Sequence, residues 1–269
     1  MLMDKRVFNA FCKIVYDKSG ISLNEGKESL VAARIGKRMR VLGLDDPKEY
    51  LKRVQNDASD EEIVQLLDNI STNVTSFFRE PAHFDLMRSL LRQWQAAGQR
   101  RFRFWSAACS SGEEPYTMAM VIAEELGLSA DARVLATDIS TRILGKCLEG
   151  AYAQKLVTPV KKELLDRYFS QEADLGGGPR YRVVPTLKRM VLFKRLNLSA
   201  PPFPMKGPLD IVFCRNVMIY FDNIIRTRLV NEIYRLLKPG GYLFIGHAES
   251  LTGLDTKFVG VQPAVYIKQ

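Results

Sequence analysis

The side chains best suited to chemistry lie in a loop of small residues, 107–114, and at Asp138. An apolar run precedes the loop, a helical pattern follows it, and Asp138 ends the next apolar run. A strand, a loop, a helix and a second strand that ends in a carboxylate make up half of a nucleotide-binding βαβ unit. Because two carboxylate oxygens match two ribose hydroxyls, Asp138 predicts an adenosine-bearing cofactor, although it could instead cap a helix that starts near Ser140.

The glycine content of this loop distinguishes between cofactors. Only Gly112 is present between positions 107 and 114, so the loop lacks the GxGxxG pattern that lets a backbone approach a pyrophosphate. A cofactor with a cationic sulfonium and an amino-acid tail would instead favour a nearby carboxylate, such as Glu113 or Glu114. Either glutamate could also merely complement the helix macrodipole. Together with Asp138, the loop favours a sulfonium cofactor over a nicotinamide dinucleotide.

Polar residues at two further places could complete a site. The apolar run 209–214 ends in Arg215 and Asn216, at the edge where open α/β sheets bind ligands. Residues 69–81 form a polar and aromatic segment at the junction of two differently patterned regions, and such junctions are favoured ligand sites. That segment could equally be a hinge that buries Phe77 and Phe78. Both places are therefore candidates for the cofactor site.

Two regions with different hydrophobic periodicity must position these residues. Apolar spacings of three and four predict helices throughout 5–70, and a further helix is predicted over 82–97. Strand and helix signals then alternate, which predicts an α/β domain with a parallel sheet whose last strand could be antiparallel. A glycine run at 176–178, between two β-like segments, predicts a small antiparallel ribbon. The candidate strands are residues 103–107, 133–137, 190–194, 210–215, 242–245 and 264–267.

Charge and cysteine content limit the class of protein. The formal net charge of +9 predicts an acidic partner without naming it. The 4 cysteines form no CxxC pair, which indicates neither a zinc site nor a disulfide framework. No apolar run reaches the ~18 residues that a membrane span needs, so we expect a soluble, cytoplasmic protein. A basic helix within 27–40, which carries Arg34, Lys37, Arg38 and Arg40 on about half of its circumference, is either a solvated face or a docking surface.

Four ordered blocks, residues 73–80, 109–116, 136–140 and 213–221, resemble the CheR family of chemotaxis receptor methyltransferases. The resemblance covers nearly the whole chain. It implies an α/β fold: a class I methyltransferase Rossmann-like sheet with a small N-terminal all-helical domain and a small antiparallel β-subdomain insertion. The implied domains are 1–70 for receptor docking, 71–85 as a linker that contributes to the cofactor site, and 86–269 for cofactor binding and catalysis, with the insertion at about 166–190.

The resemblance also implies roles for individual residues. Arg79 and Tyr220 would lie beside the reacting methyl group as catalytic residues. The docking surface would consist of Arg34, Lys37, Arg38 and Arg40. The residues that bind the cofactor would be Asn73, Thr75, Arg79, Glu113, Asp138, Asn197, Leu198, Arg215 and Asn216.

The implied reaction transfers the sulfonium methyl group of S-adenosylmethionine to a receptor glutamate, giving a glutamyl methyl ester and S-adenosylhomocysteine. A glutamate is already ionised at pH 7, so neither a strong base nor a metal is required. The implied partner is the acidic helical bundle of a chemoreceptor's cytoplasmic domain, and in some family members the β-subdomain also grips a receptor C-terminal pentapeptide. We expect a monomer that is recruited to membrane receptor arrays, without membrane insertion or bound nucleic acid.

Two other functions are compatible with parts of the sequence. An RNA methyltransferase of the same fold would suit the basic charge, and it predicts base-stacking aromatic side chains, for which Phe77 and Phe78 are the candidates. A non-catalytic adaptor could bind the adenosyl cofactor and signal through the helical domain. Such an adaptor would not need Arg79 or Tyr220.

Overall fold

The N-terminal region folds into helices around an apolar core of its own. The computed structural model describes residues 3–23, 28–59, 61–70, 73–172 and 178–269. The first helices are α1 (Lys5–Ser19), α2 (Glu28–Leu42), α3 (Pro47–Gln55) and α4 (Glu61–Ile70). Phe11, Ile35, Tyr50 and Leu66 are fully buried between these helices. The helical interpretation of 5–70 is therefore confirmed for the residues that the structure describes.

Strands and helices alternate in the rest of the described chain. The strands are β1 (Arg101–Ser106), β2 (Asp131–Asp138), β3 (Ala151–Ala153), β4 (Phe169–Glu172), β5 (Arg180–Val183), β6 (Val191–Arg195), β7 (Leu209–Cys214), β8 (Leu237–Ile245), β9 (Val259–Gln262) and β10 (Val265–Ile267). The helices are α5 (Pro81–Ala96), α6 (Glu113–Leu126), α7 (Thr141–Glu149), α8 (Gln154–Val157), α9 (Lys162–Tyr168), α10 (Pro185–Lys188) and α11 (Asn223–Leu236).

The large sheet has the order β6-β2-β1-β7-β8-β10-β9. The first five of these strands are mutually parallel, and β10 is antiparallel to both of its neighbours. Successive side chains of a strand point to opposite faces, so Phe104 packs in the core under α5 and α6 whereas Trp105 packs in the core under α11. The predicted parallel sheet with an antiparallel last strand is confirmed.

The structure differs from the sequence prediction in two strands. The edge strand β9 was not predicted, because it is only four residues long and all of its residues are exposed, so no buried face marks it in the sequence. The predicted ribbon corresponds to β4 and β5, and β3 adds a third strand to give the order β3-β5-β4. The strand β3 was not predicted because it pairs with β5 through only three residues. The glycines at 176 and 177 lie outside the described residues.

The helical domain closes over the carboxyl edge of the large sheet. The Ser22 amide donates to the Tyr220 carbonyl at 2.8 Å, and the Asn197 side-chain amide donates to the Lys18 carbonyl at 2.9 Å. Between these contacts Gly20 has φ 73°, and a Cβ there would lie 2.5 Å from the Cβ of Ser199, so only glycine permits this approach. Across the described ranges, every helix lacks either the length or the apolar character needed to cross a membrane.

Candidate active site

A cavity of about 420 Å³ lies between the carboxyl edge of the sheet and the helical domain. Its volume is within the range of small-molecule sites. The helical domain, which was predicted to serve docking, also forms one wall of this cavity through residues such as Ile21 and Val31. The predicted site residues that border the cavity are Asn73, Thr75, Arg79, Asp138, Asn197, Leu198, Arg215, Asn216 and Tyr220.

Asp138 is a buried carboxylate at the end of β2, with 8% of its surface exposed. Its two oxygens accept the backbone amides of Ser110 and Ser140, each at 3.0 Å. The N-cap of α7 is Ser140, whose hydroxyl oxygen accepts the Ile143 amide at 3.2 Å. The alternative role of Asp138 as the helix cap is therefore wrong. Burial raises the pKa of Asp138, and the carboxylate remains directed at the cavity by its two backbone contacts.

The two glutamates at the start of α6 face different surroundings. Glu114 borders the cavity and accepts the Ser106 hydroxyl at 2.7 Å. Glu113 is buried beside Ser111, whose hydroxyl donates to it at 2.7 Å, and it does not border the cavity. Burial raises the pKa of both carboxyl groups. The carboxylate that the loop contributes to the cavity is thus Glu114, whereas the family resemblance had implied Glu113.

Gly112 allows the loop to turn sharply before α6. It has φ 98°, a conformation that side chains rarely adopt. A Cβ at this position would also lie 2.7 Å from the hydroxyl of Tyr152, which donates to the Ser111 carbonyl at 2.8 Å. The one glycine that the loop keeps is therefore required by packing against β3 and not by a pyrophosphate.

Arg215 connects three segments behind the cavity. Its side chain is almost completely buried, with its guanidinium 3.0 Å from Glu80 and 3.2 Å from Glu114. It also donates to the backbone carbonyl of Arg79. Burial opposes ionisation of Glu80, but the charge and hydrogen bond of Arg215, together with the contacts to His247, outweigh it and lower the pKa of Glu80. This network holds the turn that carries Arg79 against the ends of β7 and α6.

Unusual backbone conformations cluster around the same cavity. Among the described residues, five that are not glycine have a positive φ, and Phe78, Glu80, Ser110 and Asn216 are four of them. Phe78 and Glu80 flank Arg79, whose side chain donates to the Val74 carbonyl at 2.9 Å. Each such residue costs about 1–3 kcal/mol and persists only where its surroundings hold it. Their position is typical of a functional site.

Glu249 is a structural residue of the site that the sequence analysis missed. One of its oxygens accepts the amides of Asn216 and Gly246, at 2.8 and 2.6 Å. The other accepts the amides of Val217 and Met218, at 3.0 and 2.8 Å. This carboxylate therefore fixes the loop after β7, which bears Asn216, to the loop after β8.

We expect Glu249→Gln to lower the free energy of unfolding by about 2 kcal/mol. The substituted amide would direct its own N–H groups at backbone N–H donors, leaving some of them buried without an acceptor. Urea denaturation measures the change. The exposed Glu163 on α9 provides a control, since Glu163→Gln should stay within about 0.5 kcal/mol of the original chain. Equal stability of both variants would contradict the role given to Glu249.

The predicted docking residues of α2 have unequal surroundings. Arg38 forms a partly buried ion pair with Glu62, with nitrogen and oxygen 2.7 Å apart. Arg34 borders the cavity. Lys37 and Arg40 are exposed. Of the four positive charges, those of Lys37 and Arg40 are thus accessible to a macromolecular partner.

The fold and the site together define a class of protein. Five parallel strands continued by an antiparallel strand form the sheet of class I methyltransferases. Asp138 at the end of the second strand and the glycine-poor loop before α6 suit an adenosyl cofactor without a pyrophosphate. The chain has the architecture of an S-adenosylmethionine-dependent methyltransferase.

Two family models match almost the whole chain. The all-alpha domain of CheR methyltransferases matches residues 6–71, and their SAM binding domain matches residues 73–267. The chain therefore belongs to the CheR methyltransferase family, and S-adenosylmethionine is its cofactor. This confirms the family that the sequence blocks resemble.

Several chemotaxis protein methyltransferases are similar over nearly their full length. The one from Borreliella burgdorferi is 38% identical over 264 residues, which cover 95% of this chain and 92% of that protein. The one from Escherichia coli is 37% identical over 263 residues, which cover 96% and 89%. The one from Salmonella typhimurium is 36% identical over 255 residues, which cover 93% and 86%. The similarity thus includes both the helical and the catalytic regions.

Proposed function

We propose that this protein methylates glutamate side chains of chemoreceptors, forming glutamyl methyl esters that adjust chemotactic signalling. The observation that carries the proposal is that one cavity brings Arg79 and Tyr220 together with Asp138 and Glu114. An anionic acceptor is attracted by a cationic side chain such as Arg79, and a cationic cofactor is attracted by carboxylates such as Glu114. A site for both therefore needs both signs of charge close together. The names of the similar proteins support the role in chemotaxis. We place the reaction in the cytoplasm, at receptor arrays.

The residues around the cavity fit S-adenosylmethionine. Asp138 would accept hydrogen bonds from the ribose hydroxyls, since its oxygens keep lone pairs beyond their contacts with backbone amides. Ile139 and Leu198 offer apolar surface for the adenine ring. Glu114 offers a carboxylate for the cationic end of the molecule. When bound, the cofactor supplies a methyl group on a positively charged sulfur.

Arg79 and Tyr220 would position the acceptor. A receptor glutamate is ionised at pH 7, so no residue has to remove a proton from it. The guanidinium of Arg79 can hold one carboxylate oxygen while the other stays free to react. The backbone carbonyl of Tyr220 accepts a hydrogen bond from the Ser22 amide. The Tyr220 side chain would close one side of the cavity and exclude water. Catalysis would then rest on alignment and electrostatics.

The exposed charges of α2 would bring the acidic receptor bundle to the cavity. We expect Lys37→Glu with Arg40→Glu to lower the rate of receptor methylation by at least about tenfold at low salt, because steering by complementary charge raises association rates. Cofactor affinity should not change, since neither side chain borders the cavity. Initial rates at several receptor concentrations measure the effect.

A matched pair of substitutions controls for net charge. Lys206 and Lys257 are also exposed, but they lie outside α2 and the cavity wall. Lys206→Glu with Lys257→Glu makes the same charge change and should leave the rate within about twofold. If both double variants lose activity equally, the α2 surface has no specific docking role.

The small sheet is our candidate for contact with a receptor C-terminal peptide. Strands β3 and β4 form its two edges, and Ser170 and Gln171 of β4 are exposed. An extended peptide could add to such an edge by backbone hydrogen bonding. We propose this contact as a tether in addition to the α2 surface.

The decisive test uses tritiated S-adenosylmethionine and membranes that contain chemoreceptors. We expect label in receptor bands, released as methanol by mild base, because methyl esters of glutamate hydrolyse under those conditions. Receptors with the modified glutamates changed to alanine serve as the control. Label in RNA instead, or cofactor binding without any labelled receptor, would overturn the proposal.

A further inference from the structure

Glu80, His83 and His247 form a cluster behind the turn that carries Arg79. The two histidines are the only ones in the sequence, and their ring centroids lie 5.0 Å apart. One oxygen of Glu80 lies 3.4 Å from Nδ1 of His83 and 3.9 Å from Nε2 of His247. The nearest ligand atoms of all three side chains lie within 4.8 Å of one another. Because His247 is far from the others in sequence, no spacing pattern revealed the cluster.

His83 lacks the hydrogen bonds that a buried imidazole normally makes. It is 1% exposed, and neither ring nitrogen has a hydrogen-bond partner. A neutral imidazole has one ring nitrogen with a free lone pair. An unsatisfied buried polar group costs about 1–3 kcal/mol. A ligand that accepts this lone pair would remove part of that cost.

We propose that Glu80, His83 and His247 bind a transition-metal dication of the Zn²⁺ type. Two imidazole nitrogens and one carboxylate oxygen are a donor set that suits such an ion, with a fourth position open to water. With bonds of about 2.0–2.1 Å, tetrahedral ligands lie about 3.3 Å apart, close to the 3.4 Å between Glu80 and His83. The ligand atom of His247 lies 3.9 Å from Glu80 and within 4.8 Å of His83, and both separations can shorten by rotation of the His247 side chain, which is 56% exposed.

Metal binding would compete with an ion pair of the active site. The Glu80 oxygen nearest the histidines is the one that lies 3.0 Å from the Arg215 guanidinium. Arg215 would keep Glu114 and the Arg79 carbonyl as partners, so its charge would stay compensated. The loss of Glu80 would nevertheless loosen the turn that positions Arg79. The ion is therefore an inhibitor, and this inhibition rests on the proposed methyl transfer whereas the binding does not.

Direct metal binding is measured on the full chain, without cofactor, by competition for Zn²⁺ with a chromophoric chelator. We expect one site per chain and an affinity at least about tenfold lower for His247→Ala. The control is Cys12→Ser, because Cys12 is the free cysteine of the described residues that is not fully buried and could bind zinc independently. This variant should match the original chain. Equal affinity in His247→Ala, or loss of the site in Cys12→Ser, would overturn the proposal.

The activity arm of the experiment distinguishes the metal site from the proposed reaction. Zn²⁺ should inhibit receptor methylation by the original chain and by Cys12→Ser, and His247→Ala should resist inhibition at the same free Zn²⁺ concentration. If the chain binds zinc as expected but methylates no receptor, the metal site stands and the proposed function fails. If zinc inhibits all three proteins alike, the coupling of the cluster to Arg79 is wrong.

Discussion

Asp138→Asn should weaken the binding of S-adenosylmethionine about a hundredfold. Hydrogen bonds to a charged acceptor contribute about 1.5–3 kcal/mol each, and about 1.4 kcal/mol corresponds to a factor of ten. Asparagine keeps only one acceptor oxygen. In the variant, the amides of Ser110 and Ser140 would compete for that oxygen with the ribose hydroxyls. Isothermal titration calorimetry with the cofactor or with S-adenosylhomocysteine measures the change.

The loss of cofactor affinity should exceed the loss of stability, which is limited to the one backbone amide that asparagine leaves without an acceptor. Ser140 caps α7 by itself, so that helix does not depend on Asp138 for its start. Asp131 lies at the other end of β2, with its side chain 55% exposed, and Asp131→Asn provides a matched control. We expect that variant to bind the cofactor normally. An affinity for Asp138→Asn within about threefold of the original would show that the carboxylate does not bind the ribose.

The cavity residues that the sequence predicts best lie at strand ends. Asp138, Arg215 and Asn216 each follow an apolar run, and parallel strands bring their carboxyl ends to one edge of the sheet. Residues that each follow an apolar run in the sequence therefore line the same cavity in the structure. No knowledge of individual side-chain contacts was needed for these three residues.

Other parts of the site depend on contacts that leave no local pattern. Glu113 and Glu114 are neighbours in sequence, and the rotation of α6 decides which of them borders the cavity. Glu249 acts through four backbone amides, which have no signature in side-chain types. The opposite wall of the cavity comes from the helical domain, whose approach depends on the packing of Gly20 against Ser199. Such features follow from tertiary structure alone.

Arg79→Ala should lower kcat for receptor methylation by about 10²–10³, which is the usual cost of removing one electrostatic contact to reacting groups. The fold should tolerate the change. The backbone of Arg79 is held by Arg215 at its carbonyl and by Ser76 at its amide, while its side chain bonds only to the Val74 carbonyl among the contacts described above. Single-turnover labelling with saturating cofactor measures the chemical step.

Two further variants separate orientation from charge. Arg79→Lys keeps the charge but loses the planar pair of donors, so it should recover only a small part of the rate if Arg79 orients the acceptor carboxylate. Arg100→Ala removes an exposed arginine far from the cavity and should leave kcat unchanged. Full recovery in Arg79→Lys would mean that the positive charge suffices. Normal kcat in Arg79→Ala would instead remove Arg79 from catalysis and leave the alignment of the acceptor to Tyr220 and the cavity walls.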